Sequence, residues 1–223
     1  MKEIYFSKDL NKSVFITTNG CSENRSDCAK MQEFFRINGW QVTTEIREAD
    51  IIFFNACGLT NVREDNSIKV LKAINAQKKF SAEIIVWGCF PKINKERISE
   101  AHKGVIFDSG EIERLEEIFE GKIKSRDIHA NFLTPSWNTS HQRKRATKRL
   151  SNIIHIRSYI QNRFNGRLQK RACDLVSFVD SDAFSIKVST GCLNSCSYCG
   201  VLYSRGKLKS KPVYKITEEF KEG

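Results

Sequence analysis

Over the first ~120 residues the apolar positions switch repeatedly between a period of two and a period near 3.6. Ser13-Val14-Phe15-Ile16-Thr17-Thr18 is a β-branched and aromatic run closed by Asn19-Gly20, which predicts a strand and a turn. Cys28, Met31, Phe34, Phe35 and Ile37 then recur at three- and four-residue spacing, the pattern of a helix with one buried face. Ser26 or Asp27 is its expected cap, and Gly39, just past Asn38, its expected stop. A second strand is expected from Gln41 to Ile46 and a third from Asp50 to Asn55. The third is almost wholly apolar, as suits a strand covered on both faces. Asn61 with Glu64 three residues on signals a helix running to about Lys79. A strand at Glu83 to Trp87, a short helix around Lys95 to Ala101, a strand at Val105 to Phe107 and a helix from Glu111 to Phe119, ending at Gly121, complete the series.

Strands alternating with helices imply a parallel sheet covered on both sides. In such sheets functional residues gather beyond the carboxyl ends of the strands. Cys21, Cys57 and Cys89 each follow closely on an expected strand end, and they are 36 and 32 residues apart. One such cysteine would mean little, because free cysteine is common in cores. Three in equivalent positions predict a shared metal site. Cys28, on the apolar helix face, reads instead as a small core residue.

The rhythm is lost between about Phe132 and Asp180, after the break marked by Pro135, Trp137 and Asn138. Charge changes the picture here. The 223 residues carry a net charge of +11, and His141 to Arg171 holds ten Lys or Arg with no acidic residue, which leaves 27 basic against 26 acidic elsewhere. Leu150, Ile153, Ile154, Ile156, Tyr159 and Ile160 have partial helical spacing within that block. A solvated tether and an RNA-phosphate surface both fit it.

Beyond Asp180 the alternating run Ala183 to Val188 predicts a strand. A cysteine loop, a basic segment from Arg205 to Lys211, and the start of a helix at Ile216 to Phe220 follow. That is one βα unit, and a lone strand would leave its edges unpaired. In the loop, Cys192, Cys196 and Cys199 stand at offsets 0, 4 and 7, with Tyr198 before the last. Thiolates select zinc, copper(I) or iron–sulfur clusters. A cluster normally takes four cysteines, so three leave one iron open for a substrate or cofactor. A zinc site would need a fourth ligand, Cys173 or a distant His, and neither has finger-like spacing. Eight cysteines behind a start, Met1-Lys2-Glu3-Ile4-Tyr5, that has no secretory apolar region point to a reducing cytoplasm rather than to disulfides. No apolar run approaches the ~18 residues of a membrane span, so no membrane partner is expected.

The triplet resembles the signature of radical S-adenosylmethionine enzymes. Its flanks, Cys196-Ser197-Tyr198-Cys199-Gly200-Val201 and Arg205-Gly206-Lys207-Leu208-Lys209-Ser210-Lys211-Pro212, resemble the methylthiotransferase family. That family usually has proline at Leu202 and arginine at Lys207 and Lys211. Thr18-Asn19-Gly20-Cys21 with Asn24 and Asp27, Asn55-Ala56-Cys57-Gly58, and Gly88-Cys89 resemble the motifs of the family's N-terminal domain. Ala56 stands where threonine is usual, and Cys28-Ala29 replaces a Ser-Glu pair.

The resemblance implies a flavodoxin/Rossmann-like domain over 1–131, a basic linker over 132–179, and the first βα unit of an incomplete radical S-adenosylmethionine barrel over 180–223. It implies two 4Fe–4S clusters, an auxiliary one on Cys21, Cys57 and Cys89 and a radical one on Cys192, Cys196 and Cys199. S-adenosylmethionine would sit beside Tyr198, with Arg205 meeting cofactor or substrate. The implied activity is methylthio insertion, into a tRNA adenosine near the anticodon or, alternatively, into a ribosomal protein. Implied partners are that substrate and an electron donor such as flavodoxin or ferredoxin; the incomplete barrel reads as a fragment, a truncated gene product, or a unit that a second chain completes. A non-catalytic cluster- or RNA-binding remnant is the competing reading.

Overall fold

The computed structural model describes residues 12–119, 122–125, 128–137, 184–194 and 196–222. The basic block, Cys173 and most of the expected linker lie outside them. Five parallel strands, β1 (Ser13–Thr18), β2 (Gln41–Val42), β3 (Ile51–Asn55), β4 (Glu83–Trp87) and β5 (Val105–Ile106), form one sheet in the order β2-β1-β3-β4-β5. The expected doubly covered α/β sheet is present.

Alternate residues of each strand point to opposite faces, so every central strand feeds two cores. Val14, Ile16, Ile51, Phe53, Ile85 and Trp87 pack against helices α1 (Ser22–Ile37) and α5 (Ile112–Ile118). Ile52, Phe54, Ile84 and Val86 pack on the other face against α2 (Asn61–Gln77), α3 (Cys89–Ile93) and α4 (Lys95–Ala101). All five residues of β3 are buried, which explains its unbroken apolar run.

Several expected boundaries shift. Helix α1 begins at Ser22 rather than after Ser26 or Asp27, so Cys21 is its N-cap and Asp27 stands inside it. Cys28, Met31, Phe34 and Phe35 form the buried face, but Ile37, in the last turn, is 49% exposed. Gly39 closes the helix with φ 86°, and Trp40 N–H donates to the Phe35 carbonyl at 2.9 Å. The strand expected from Gln41 to Ile46 is only Gln41–Val42. Thr43 N–H still donates to Val14, but Thr43 Oγ1 then accepts from Glu45 N–H and turns the chain away, carrying Ile46 into the core. Thr60, not Asn61, caps α2, accepting from Arg63 N–H at 3.3 Å. Glu64 is instead buried, where it accepts from Arg97 at 2.7 Å.

The second region departs most from expectation. The strand expected over Ala183 to Val188 is reduced to a single bridge from Phe184 to Phe132. The pairing starts later: β6 (Ser189–Thr190) runs antiparallel to β7 (Lys209–Ser210), so part of the expected basic loop is the partner that covers the lone strand's edge. Between them stands helix α6 (Gly200–Arg205), and α7 (Val213–Glu222) follows.

Candidate metal centre

The chain reverses direction across the sheet between β1 and β3, and a crevice beyond the carboxyl ends at such a point is where α/β sheets bind ligands. Thr18, Asn55 and Trp87, the last residues of β1, β3 and β4, are in register. The three loops that leave them therefore start side by side. Cys21 lies three residues beyond its strand, and Cys57 and Cys89 lie two beyond theirs. Cys89 opens α3 rather than sitting in a loop.

Side-chain hydrogen bonds hold these loops to one another. Thr18 Oγ1 donates to the Asn55 carbonyl at 2.8 Å and accepts from Gly20 N–H at 2.9 Å. Asn19 accepts from Cys57 N–H at 3.2 Å and donates to Ser67 Oγ at 2.9 Å, while Ser67 donates to the Cys57 carbonyl at 2.7 Å. Asn24 Nδ2 donates to Asn55 Oδ1 at 2.7 Å. Gly88 is forced by both space and conformation. At φ 115° it adopts backbone that L side chains avoid, and a Cβ there would stand 2.4 Å from Asn55 Oδ1.

Asn24 is the meeting point of the first triad. Its Oδ1 stands 3.6 Å from Cys21 Sγ and 3.7 Å from Cys89 Sγ. Cys57 and Cys89 are buried and Cys21 is exposed, so the site opens on one side. Burial pushes the Cys57 and Cys89 thiols up, and the neighbouring thiols of the triad push the same way. A soft metal reverses that preference, because it binds the thiolate. Cys28 is separate: it is fully buried on α1, 3.8 Å from the Thr17 carbonyl, and its thiol is pushed well up by burial.

Among the described residues no three His, Cys, Asp or Glu side chains converge closely enough to grip one metal ion. An iron–sulfur cluster is ligated at separate corners, so its sulfurs stand further apart than donors around a single ion. An all-thiol donor set with two buried members suits such a cluster.

The second triad is held by the ribbon and α6. Cys192 N–H donates to the Gly206 carbonyl and its own carbonyl accepts from Leu208 N–H, both at 3.2 Å. Cys199 is the N-cap of α6, and its N–H donates to the Cys196 carbonyl at 3.1 Å. Gly191, with φ 82°, lets the loop pass where a Cβ would meet the Lys207 carbonyl at 2.4 Å. Tyr198 is 90% exposed.

Helix α6 docks on the carboxyl edge of the sheet. A Cβ at Gly200 would lie 3.3 Å from the Leu59 side chain and 3.5 Å from that of Ile93, and Ser109 donates to the Ser204 carbonyl. Leu59 is two residues past Cys57, so the backbone beside Cys199 rests on the loop that carries the first triad. At the other end of α6, Arg205 turns into that triad's surroundings. Its Nη2 donates to Asn24 Oδ1 at 2.6 Å, Nη1 pairs with Asp27, and Nε stands 3.9 Å from Glu23. Lys187 joins them, 3.0 Å from Asp27 and 3.3 Å from Glu23, and Thr190 donates to Glu23. Burial alone would raise the Asp27 carboxyl, but Arg205 and Lys187 outweigh it and hold it below the usual range. Reading the sequence singled out Asn24, Asp27 and Arg205 separately. That they touch, and that Glu23 and Lys187 join them, had no signal in spacing.

Residues 13–108 match the family described as "Uncharacterized protein family UPF0004". A threonylcarbamoyladenosine tRNA methylthiotransferase of Xenopus laevis is 30% identical over 222 residues, which cover 95% of this chain and 34% of the relative. The ribosomal protein uS12 methylthiotransferase RimO of Chlamydia felis is 26% identical, covering 99% and 42%. A tRNA-2-methylthio-N(6)-dimethylallyladenosine synthase of Methylacidiphilum infernorum is 24% identical, covering 94% and 40%. The chain thus spans between 34% and 42% of the length of these relatives. These likenesses agree with the resemblance read from the cysteine motifs: residues 13–108 match that family, and nearly the whole chain is similar to part of the tRNA and ribosomal-protein methylthiotransferases.

Proposed function

We propose that this chain binds two 4Fe–4S clusters and S-adenosylmethionine and serves radical methylthio transfer, with a tRNA adenosine near the anticodon as substrate. The observation that carries this reading is the docking of α6, which joins the Cys199 end of the second triad to the strand-end segments that carry Cys21, Cys57 and Cys89. Two of the three relatives described above are named for tRNA modification. The uS12 relative keeps a ribosomal protein as the second substrate reading.

When bound, the clusters and S-adenosylmethionine would supply one-electron reduction, hydrogen abstraction and the methylthio group. The chain's own residues ligate, orient and exclude water. Cys21, Cys57 and Cys89 are the first ligand set, and Cys192, Cys196 and Cys199 the second. Burial of Cys57 and Cys89 keeps solvent from the inner side of the first site, and Asn24 holds Cys21 and Cys89 to a common geometry. Tyr198, exposed beside Cys199, offers a ring for the cofactor to pack on. In this reading residues 1–131 house the first site, 132–179 link, and 180–223 begin the second domain. A second chain completing the barrel is a further partner in this reading. The reaction draws electrons from a donor of the flavodoxin or ferredoxin class, and its setting is the cytoplasm.

Anaerobic reconstitution tests the reading. About eight irons per chain are expected, with broad absorption near ~400 nm. Alanine at Cys192, Cys196 and Cys199 together should remove about half the iron, alanine at Cys21, Cys57 and Cys89 the other half, and Cys28→Ala none. Zinc in place of iron in anaerobically produced protein would overturn it.

A further inference from the structure

Arg205 spans the two triads. It lies 178 residues from Asp27 in sequence, yet its side chain is only 9% exposed and contacts three acceptors on α1. Each nitrogen has its own partner: Nη1 has Asp27, Nη2 has Asn24, and Nε faces Glu23. A planar guanidinium can serve that fork, and an ammonium cannot. With Lys187 it makes two cations facing two carboxylates, Asp27 and Glu23. These ion pairs form without any cluster, so the network can hold α6 in place on its own. Asn24 Oδ1, which accepts from Arg205, is the same atom that lies against Cys21 and Cys89. Six residues of helix rise separate Cys199 from Arg205, about 9 Å.

Resting on the two-cluster reading above, we infer that Arg205 is a positioning residue serving both triads. Its guanidinium, fixed by Asp27 and Asn24, anchors the helix capped by Cys199 and places a positive charge beside the first cluster.

The test uses the full chain, reconstituted anaerobically, with Arg205→Met and Arg205→Lys. The charge role is read as the midpoint potential of the first cluster, in a chain also carrying alanine at Cys192, Cys196 and Cys199. Removing a nearby cation makes an iron–sulfur cluster harder to reduce. Arg205→Met should therefore shift the potential to more negative values, and Arg205→Lys should return most of the shift. The anchoring role is read as iron loss from the second triad to a chelator, in a chain carrying alanine at Cys21, Cys57 and Cys89. There both variants should lose iron several-fold faster, because lysine lacks the fork. Asp27→Asn, which leaves Arg205 intact but removes its main partner, should reproduce the faster loss. A merely structural residue would move neither the potential nor the lysine-against-methionine contrast. An unaltered chain that takes up no iron would overturn both the two-cluster reading and this inference. Normal uptake with unchanged potential and unchanged chelator kinetics in Arg205→Met would overturn this inference alone.

Discussion

Replacing Gly88 with alanine probes the hinge on which the first triad turns. Gly88 joins the last residue of β4 to Cys89, with φ 115° and ψ −153°. That region of backbone space is essentially restricted to glycine, and forcing another residue into it costs about 1–3 kcal/mol. The added Cβ would also lie 2.4 Å from Asn55 Oδ1 and 2.9 Å from the Ala56 carbonyl. Asn55 is fully buried and accepts from Asn24 at 2.7 Å, so pushing it aside forfeits a hydrogen bond worth about 1 kcal/mol net. The sum is a loss of about 2–4 kcal/mol, read as a lower urea midpoint at unchanged slope. The two parts separate in a double-mutant cycle. In an Asn55→Ala background the clash with Oδ1 is gone, so Gly88→Ala should cost about 1 kcal/mol less, a coupling within the range seen for contacting residues. First-triad iron should fall as well, because Cys89 is the next residue. A Gly88→Ala chain within about 0.5 kcal/mol of the parent, the range of neutral surface changes, would refute the reasoning. So would an equal cost in both backgrounds for the clash alone.

Phe35, packed edge-on or tilted against Phe34, Trp40, Phe53 and Phe119 at 5.0–5.7 Å, should cost about 3–5 kcal/mol when cut to alanine. Ile37→Ala, two residues on but half exposed, should stay within about 0.5 kcal/mol, and urea unfolding compares the two. Asp50 accepts from Ser13 N–H and from Lys79, both at 2.9 Å, and these hold its carboxyl below the usual range. A lowered folded-state pKa gives stability that is complete above the unfolded value near ~3.9 and is lost as pH falls through the folded value. Asp50→Asn should thus be the less stable protein at pH 7 by about 1–2 kcal/mol, with the gap closing in acid. A constant gap from pH 7 to 2 would refute that assignment. The basic block should bind RNA with steep salt dependence, on the order of a thousandfold between 50 and 200 mM for six phosphate contacts. Neutralising Arg143, Lys144, Arg145, Lys148 and Arg149 should flatten the slope, and salt-independent binding would leave the block a tether.

The amino-acid sequence by itself determined the order of strands and helices in the five-stranded sheet and its two covering layers, because these follow from local periodicity. The β-branched and aromatic run of β1 and the continuous apolar run of β3 belong to strands buried on both faces. It also placed Cys21, Cys57 and Cys89 at one edge of the sheet. Parallel strands share a carboxyl edge, so residues just past strand ends converge whatever the intervening helices contain. The start of α1 was not legible. Ser26 and Asp27 look like caps, but Asp27 is spent on Arg205 and Lys187, and Cys21 takes the cap position. Nor was the second strand's early end, since Gln41 to Ile46 is β-prone throughout. There, the short hydrogen bond pattern after Thr43 and the pull of the core on Ile46 decide the outcome. Only the tertiary structure decided how residues 184–194 and 196–222 sit. A two-residue ribbon has little local preference, and its place is set by ion pairs spanning about 160 residues or more, from Lys187 and Arg205 to α1. Charge pairing of that kind leaves no period in a sequence. It exists only once folding has brought the partners together and removed the water that would otherwise screen them.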